Sequence, residues 1–277
     1  MRLFVDNLIN IDFSYLDPQR GLVGETWMAH VELFGELDEQ SMICDFGIVK
    51  KTLREWLDEQ LDHRLLIPTA ATQLSLTHSG HQTTIEWQFN EQSLSCQSPV
   101  SSFALVTTDE ITPNNVAKWC INQLQSIFPD SIEQIALYFS TEQIDGRWYH
   151  YSHGLKKHAG NCQRIAHGHR SGIKIWRNGE LCNESMSKWS NRLSDIYIGT
   201  RDDLAEETDD HYQFAYEARQ GQFHLRLPKS CCYLMDTDTT IEQIARHIAS
   251  ELYRENPGDE FVVKAFEGIG KGAIADS

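Results

Sequence analysis

The sequence predicts an α+β protein built from two copies of one unit. Three observations carry this. The stretch "FALVTTDEITPNNVAKWCINQLQSIFPDSIEQIALYFSTEQ" from Phe103 matches "YLMDTDTTIEQIARHIASELYRENPGDEFVVKAFEGIGKG" from Tyr233. At a common offset, Thr112 meets Thr240, Ala117 meets Ala245, Leu124 meets Leu252 and Pro129 meets Pro257. A hairpin-like pair of strands precedes each copy, and the two starts also match, more weakly.

Taken in chain order, each unit opens on two long strands. "FSYL" at Phe13 is similar to "YSHG" at Tyr151, and "GETWMAHVELFG" at Gly24 to "AHGHRSGIKIW" at Ala166. The first unit continues with "ICDFGIVKKTLREWLDEQLDHRLLIP". Here Val49, Leu53, Trp56, Leu57 and Leu61 keep a helical period, and Asp45 is the expected N-cap. The second unit has "NESMSKWSNRLSDIYIGTRDDLAEETDDHYQ" instead, which is more acidic and less regular. Hairpins follow at "TTIEWQFNEQSLSCQ" and "YQFAYEARQGQFHLRLP", the second turning where Gly221 accepts a positive φ. Each unit then closes with strand, amphipathic helix and strand. Thr112 and Thr240 are the expected helix caps, with Pro113 at the first helical position. The join falls near "EQIDGRWYH", giving lobes of residues 1–146 and 147–277.

The bulk chemistry narrows the partners. The chain has 277 residues, 40% of them hydrophobic, and a formal net charge of −16. That charge argues against nucleic acid or an anionic membrane surface, which both require a basic face. No run of eighteen apolar residues predicts a membrane span. The start carries Asp6 and Asp12 and does not read as a signal peptide. The seven cysteines show no disulfide framework spacing, so a reduced, cytoplasmic setting is expected. A small anionic substrate held in a local pocket stays compatible with all of this.

Residues 149–169, "YHYSHGLKKHAGNCQRIAHGH", hold five of the twelve histidines. In a strand, residues i and i+2 share a face, so His167 and His169 point together. His153 on the preceding strand can stand opposite them in a hairpin. Three imidazoles leave one open position on a tetrahedral zinc ion, the pattern of a catalytic site. His150 and His158 are local rivals for the third place. Cys162, in the polar loop "AGNCQRI", has the setting of a base or nucleophile if a cation or metal lies near.

The order His153, Cys162, "HGH" resembles the 6-pyruvoyl-tetrahydropterin synthase family, including its bacterial 6-carboxy-tetrahydropterin synthases. So do "CDFGIVKKTLREWLDEQLDHRLL", the helix start at Thr240, Glu242, Gln243 and Ala245, and Glu267 in "KAFEGIG". The resemblance covers nearly the whole chain when laid down twice. It implies two tandem tunnelling-fold units, with antiparallel sheets and helices packed on one face. It implies zinc held by His153, His167 and His169, and proton transfer by Cys162 with Asp62 and His63. It implies a pterin ring anchored by Glu267, with Thr240 beside the substrate. The implied substrate is 7,8-dihydroneopterin triphosphate. The implied product is 6-carboxy-5,6,7,8-tetrahydropterin, on the route to 7-deazaguanine and queuosine, or alternatively the 6-pyruvoyl compound. A non-catalytic pterin-binding or assembly protein is the other class. A homo-oligomer is expected, because two such units do not close the family's barrel.

The sequence matching also sets expectations for the first lobe. Tyr15 stands for His153, Glu25 and Trp27 for His167 and His169, and Phe139 or Ser140 for Glu267. The first lobe is therefore expected to bind no zinc. The second lobe shows no clear Leu-Asp-His. Asp62-His63 is expected to serve the site around Cys162, with Asp210-His211 as the rival pair.

Overall fold

A computed structural model describes residues 1–124, 127–128 and 131–277. Pro129, one of the aligned repeat positions, lies outside the described residues. The first lobe opens with β1 (Arg2–Asp17) and β2 (Gly21–Phe34), then α1 (Phe46–Gln60) and β3 (Leu65–Pro68). The strands β4 (Leu74–Ser79), β5 (Gln82–Phe89) and β6 (Gln92–Pro99) follow, then β7 (Phe103–Val106), α2 (Pro113–Leu124) and β8 (Gln134–Ser140).

The second lobe repeats the order. It runs β9 (Arg147–His153), β10 (His167–Arg177), the short β11 (Glu180–Leu181), α3 (Asn183–Arg192) and β12 (Ile196–Thr200). It continues with β13 (Leu204–Glu207), β14 (His211–Ala218), β15 (Gly221–Pro228), β16 (Cys232–Met235), α4 (Ile241–Glu255), β17 (Phe261–Phe266) and β18 (Gly272–Asp276).

Each lobe has its own sheet. The first runs β7-β3-β1-β2-β8, and the second β16-β12-β9-β10-β17-β18 with β11 beside β10. The helices pack on one face of each sheet. In α1, Asp45 accepts from Gly47 N and Ile48 N, and Val49, Leu53 and Leu57 are buried. In α4, Thr240 accepts from Gln243 N, and Ile244, Ile248 and Leu252 turn inward. A third sheet, β13-β14-β15-β6-β5-β4, takes strands from both lobes and joins them through β15 and β6. Its buried face, with Trp87, Phe214 and Phe223, packs with Leu16, Ile165 and Tyr197 into a core common to the two lobes.

The second lobe does have a helix in its middle segment. The sequence "NESMSKWSNR" conceals it, because only Met186, Trp189 and Ser190 face the core and the Cys182 side chain caps no backbone N–H of the helix. This corrects the expectation of irregular structure there. Among the described residues, no helix is long and apolar enough to cross a membrane.

The ladders fix the true correspondence of the lobes. Asp195 N donates to His150 O as His63 N donates to Asp12 O, and both His63 and Asp195 have positive φ, 54° and 59°. Asp12 thus corresponds to His150 and Tyr15 to His153. Tyr15 pairs with Val23 and Phe13 with Glu25, while His153 pairs with His167 and Tyr151 with His169. The first-lobe counterparts of His167 and His169 are therefore Val23 and Glu25, two residues from the sequence expectation. Ala29 pairs with Phe139 and Ile173 with Ala265, so Glu267 corresponds to Thr141 rather than to Phe139 or Ser140. The counterpart of Asp62-His63 is Ser194-Asp195.

Candidate metal and proton-transfer site

The antiparallel pairing of β9 with β10 sets His153 directly opposite His167. His169 lies on the same face one alternation further on. All three rings are buried, at 0%, 1% and 1% exposure, and one ligand nitrogen of each falls within 4.8 Å of the others. His150 and His158 are not in this group. His150 faces Glu25 and Asp195 on the other side of the lobe contact, and His158 bonds Gly160 N in its own loop.

The outer nitrogens define the tautomers. His153 Nδ1 is 2.8 Å from Thr239 O, and His167 Nδ1 is 2.9 Å from Arg164 O. A carbonyl only accepts, so each Nδ1 carries the hydrogen and each Nε2 presents a lone pair. His169 Nδ1 stands 3.2 Å from Asp12 Oδ1. Metal-bound histidines have this outer-partner arrangement. Burial, reinforced by the neighbouring imidazoles, pushes His153 and His167 well below the usual histidine range, which keeps them neutral. The spacing fits as well. Nitrogens about 2.0–2.1 Å from a tetrahedral zinc ion lie about 3.3–3.4 Å apart, and the Nε2 atoms of His153 and His169 are 3.3 Å apart. The donor set therefore suits a zinc-sized ion with a position left open.

Cys162 is half-buried in a short turn of residues Asn161–Gln163. Its carbonyl accepts from Leu155 N at 2.8 Å. The neighbouring Gln163 is anchored by Tyr216 and Gln220. His63, from the first lobe, joins Cys162 and His167 within 4.8 Å, and its ring centre is 4.9 Å from that of His167. His63 Nδ1 bonds Asp62 Oδ2. Burial opposes charging His63, but the bonds to Asp62 and Cys162 outweigh it and push its pKa up to about 10. Arg164 closes the junction, reaching Asp62 O at 3.3 Å.

Asp210-His211 stands elsewhere. His211 opens β14 and reaches Ser93 O in the first lobe's hairpin; it belongs to neither imidazole group found among the described residues.

Glu267 begins a tight turn after β17, its N–H bonded to Lys271 O. Its Oε1 is 3.9 Å from His169 Nε2, at the mouth of the imidazole group. Thr240 is the α4 cap. It borders a surface pocket with Lys156, Lys157 and His158. The neighbouring Thr239, not singled out from the sequence, is the residue that meets His153. Asp12 was also missed, since only the packing of one lobe on the other brings it here, and so was Lys271, which the Glu267 turn carries to it.

The matching place in the first lobe holds Tyr15, Val23 and Glu25. Arg20 bonds Asp195 and His150 there, and Glu25 Oε2 is 3.4 Å from His150 Nε2. Charged side chains fill the position that imidazoles occupy in the other half.

Comparison with known proteins agrees with the repeat. The family described as 6-pyruvoyl tetrahydropterin synthase matches the chain twice, over residues 12–151 and 145–274. No curated protein sequence matches. Among solved structures, the chain is similar to a Plasmodium vivax 6-pyruvoyltetrahydropterin synthase at 17% identity and TM-score 0.39, with 50% of this chain and 97% of that one covered. It is similar to the Plasmodium falciparum 6-pyruvoyl tetrahydropterin synthase at 14% identity and TM-score 0.40, with the same coverage.

Proposed function

The chain belongs to the 6-pyruvoyl tetrahydropterin synthase family, and on that premise we propose that it is a zinc-dependent lyase acting on 7,8-dihydroneopterin triphosphate. The observation that supports this reading is the convergence of His63 from one lobe with Cys162 and three buried imidazoles from the other. A protein that only binds pterin has no use for that combination.

In this reading His153, His167 and His169 hold the metal. Zinc, when bound, supplies positive charge that polarises a side-chain oxygen of the substrate. Cys162 removes a proton from the adjoining carbon, and His63 takes or returns another. Asp62 holds the His63 ring through Nδ1, leaving Nε2 for the thiol. The Glu267 carboxylate receives paired hydrogen bonds from the amidine-like edge of the pterin. Thr240 contributes to the substrate's surroundings. The spacing from Cys162 to His167 resembles that of the bacterial 6-carboxy-tetrahydropterin synthases, so the proposed outcome is side-chain cleavage, which consumes water, releases acetaldehyde and triphosphate, and forms 6-carboxy-5,6,7,8-tetrahydropterin, the queuosine-route product. The two lobe sheets end on β7, β8, β16 and β18, and we propose that further copies of the chain pair with these edges in a cytoplasmic homo-oligomer.

Incubating zinc-loaded protein with dihydroneopterin triphosphate and weighing the product tests the proposal. The mass of 6-carboxy-tetrahydropterin is expected. The 6-pyruvoyl mass would keep the lyase and change its product. Binding without turnover would replace the enzyme by a pterin-binding protein.

A further inference from the structure

Asp12 is a first-lobe residue enclosed in the site of the second. It is 4% exposed. Thr26 Oγ1 donates to its Oδ1 at 2.6 Å, and Lys271 Nζ to its Oδ2 at 3.0 Å. His169 Nδ1 stands 3.2 Å from Oδ1. The main chain is engaged too. Asp12 N donates to Asp62 Oδ1 at 2.8 Å, and Asp12 O accepts from His63 N at 2.6 Å. One residue therefore touches an imidazole of the metal group and both members of the Asp62-His63 pair.

A carboxylate is costly to bury unless charges and donors surround it. Asp12 has such partners, and its position has a chemical consequence. His153 and His167 give their Nδ1 hydrogens to main-chain carbonyls, which fix the rings and add no net charge. His169 faces a full negative charge instead, and such a partner makes the opposite nitrogen a stronger metal donor. The pseudo-symmetric pair is reversed. His150 takes the place of Asp12, and Glu25 the place of His169, with 3.4 Å between them.

We infer that Asp12 is the positioning residue of the metal centre. It orients His169, strengthens its Nε2 as a donor, and holds Asp62-His63 in register with it. Metal affinity in the second lobe then depends on a first-lobe residue that touches no metal. The inference rests on the zinc reading of the site.

The test measures zinc affinity of the full chain by competition with a chromogenic chelator, and the visible bands of the cobalt-loaded protein. Asp12→Asn should bind zinc roughly 10–100-fold more weakly and shift the cobalt bands, while its circular dichroism stays that of the wild type. Lys271→Met removes the cation competing for Asp12 and should bind zinc more tightly. It also decides the matter should Asp12→Asn fail to fold, since no gain in affinity would then overturn the inference. Wild-type affinity with an unshifted cobalt spectrum in Asp12→Asn would overturn it outright. A wild-type chain that takes up no zinc would overturn the metal reading itself, and this inference with it.

Discussion

Ser14 Oγ and Ser152 Oγ lie 2.7 Å apart, fully buried. The two serines are equivalent positions of the repeat, so their bond sits on the pseudo-two-fold axis relating the lobes. Equivalent glycines lie beside it. A Cβ on Gly24 would collide with Tyr151 O, and one on Gly168 with Tyr151 O and Gly24 Cα. The axis explains the asymmetry of function. Two half-sites face each other across it. One carries imidazoles, thiol and an Asp-His pair; the other carries Arg20, Glu25, His150 and Asp195.

Close backbone approach at the axis makes Gly24→Ala a stability variant. The added methyl has backbone on its far side, which cannot turn away as a side-chain tip would. We expect a loss of about 1–3 kcal/mol, the usual range for overpacking, read from denaturant unfolding of the metal-free protein. A variant as stable as the wild type would mean that the lobes can slide apart at no cost.

Metal content should be one zinc per chain. His167→Ala/His169→Ala should abolish it, because one imidazole cannot hold the ion. Tyr15→Phe should leave it unchanged, since the first half-site offers no imidazole triad. Elemental analysis showing two zinc ions per chain, or an unaffected double variant, would contradict the assignment.

The charged half-site should reveal itself in acid. Burial alone would raise the Asp195 carboxyl, but the bonds from His150 and Arg20 outweigh it and hold the pKa at about 2. Its unfolded value is about 3.9. A depressed acid stabilises the fold above its unfolded pKa and loses that contribution as pH falls towards the folded one. Wild type should therefore be more stable than Asp195→Asn at pH 6, by on the order of 1–3 kcal/mol. The difference should shrink between about pH 4 and pH 2. A difference independent of pH would assign Asp195 a role in shape alone.

Open sheet edges predict association. Sedimentation at micromolar concentration should show a species larger than the 31.8 kDa chain. A lone monomer would remove the oligomer from the proposal.

Much of this was legible because it is local. Caps at Asp45, Thr112 and Thr240 depend on neighbours a few residues away. His167 and His169 share a face by strand alternation alone. The hairpin turn at Gly221 needs only its φ of 134°. What was hidden depends on packing or register. The loops between the paired strands differ in length, so sequence matching placed Trp27 where the ladder places Glu25. The polar surface of α3 masked a helix that buries Trp189. Ser194-Asp195 shares no residue with Asp62-His63, and only their common backbone position makes them equivalent. Asp12 and Thr239 enter the site from distant segments, and no local pattern marks them.

The shared site is the central claim, and His63 tests it. Turnover of dihydroneopterin triphosphate should be compared for wild type, His63→Ala and His211→Ala, with zinc content and pterin binding measured on the same samples. His63→Ala should lose roughly a hundredfold or more in turnover, the size of an acid–base contribution, and keep its zinc and its pterin affinity. His211→Ala should stay near wild type. Mixing His63→Ala with Cys162→Ala chains should restore nothing, because His63 and Cys162 face each other within one chain. Full activity in His63→Ala together with its loss in His211→Ala would contradict the account.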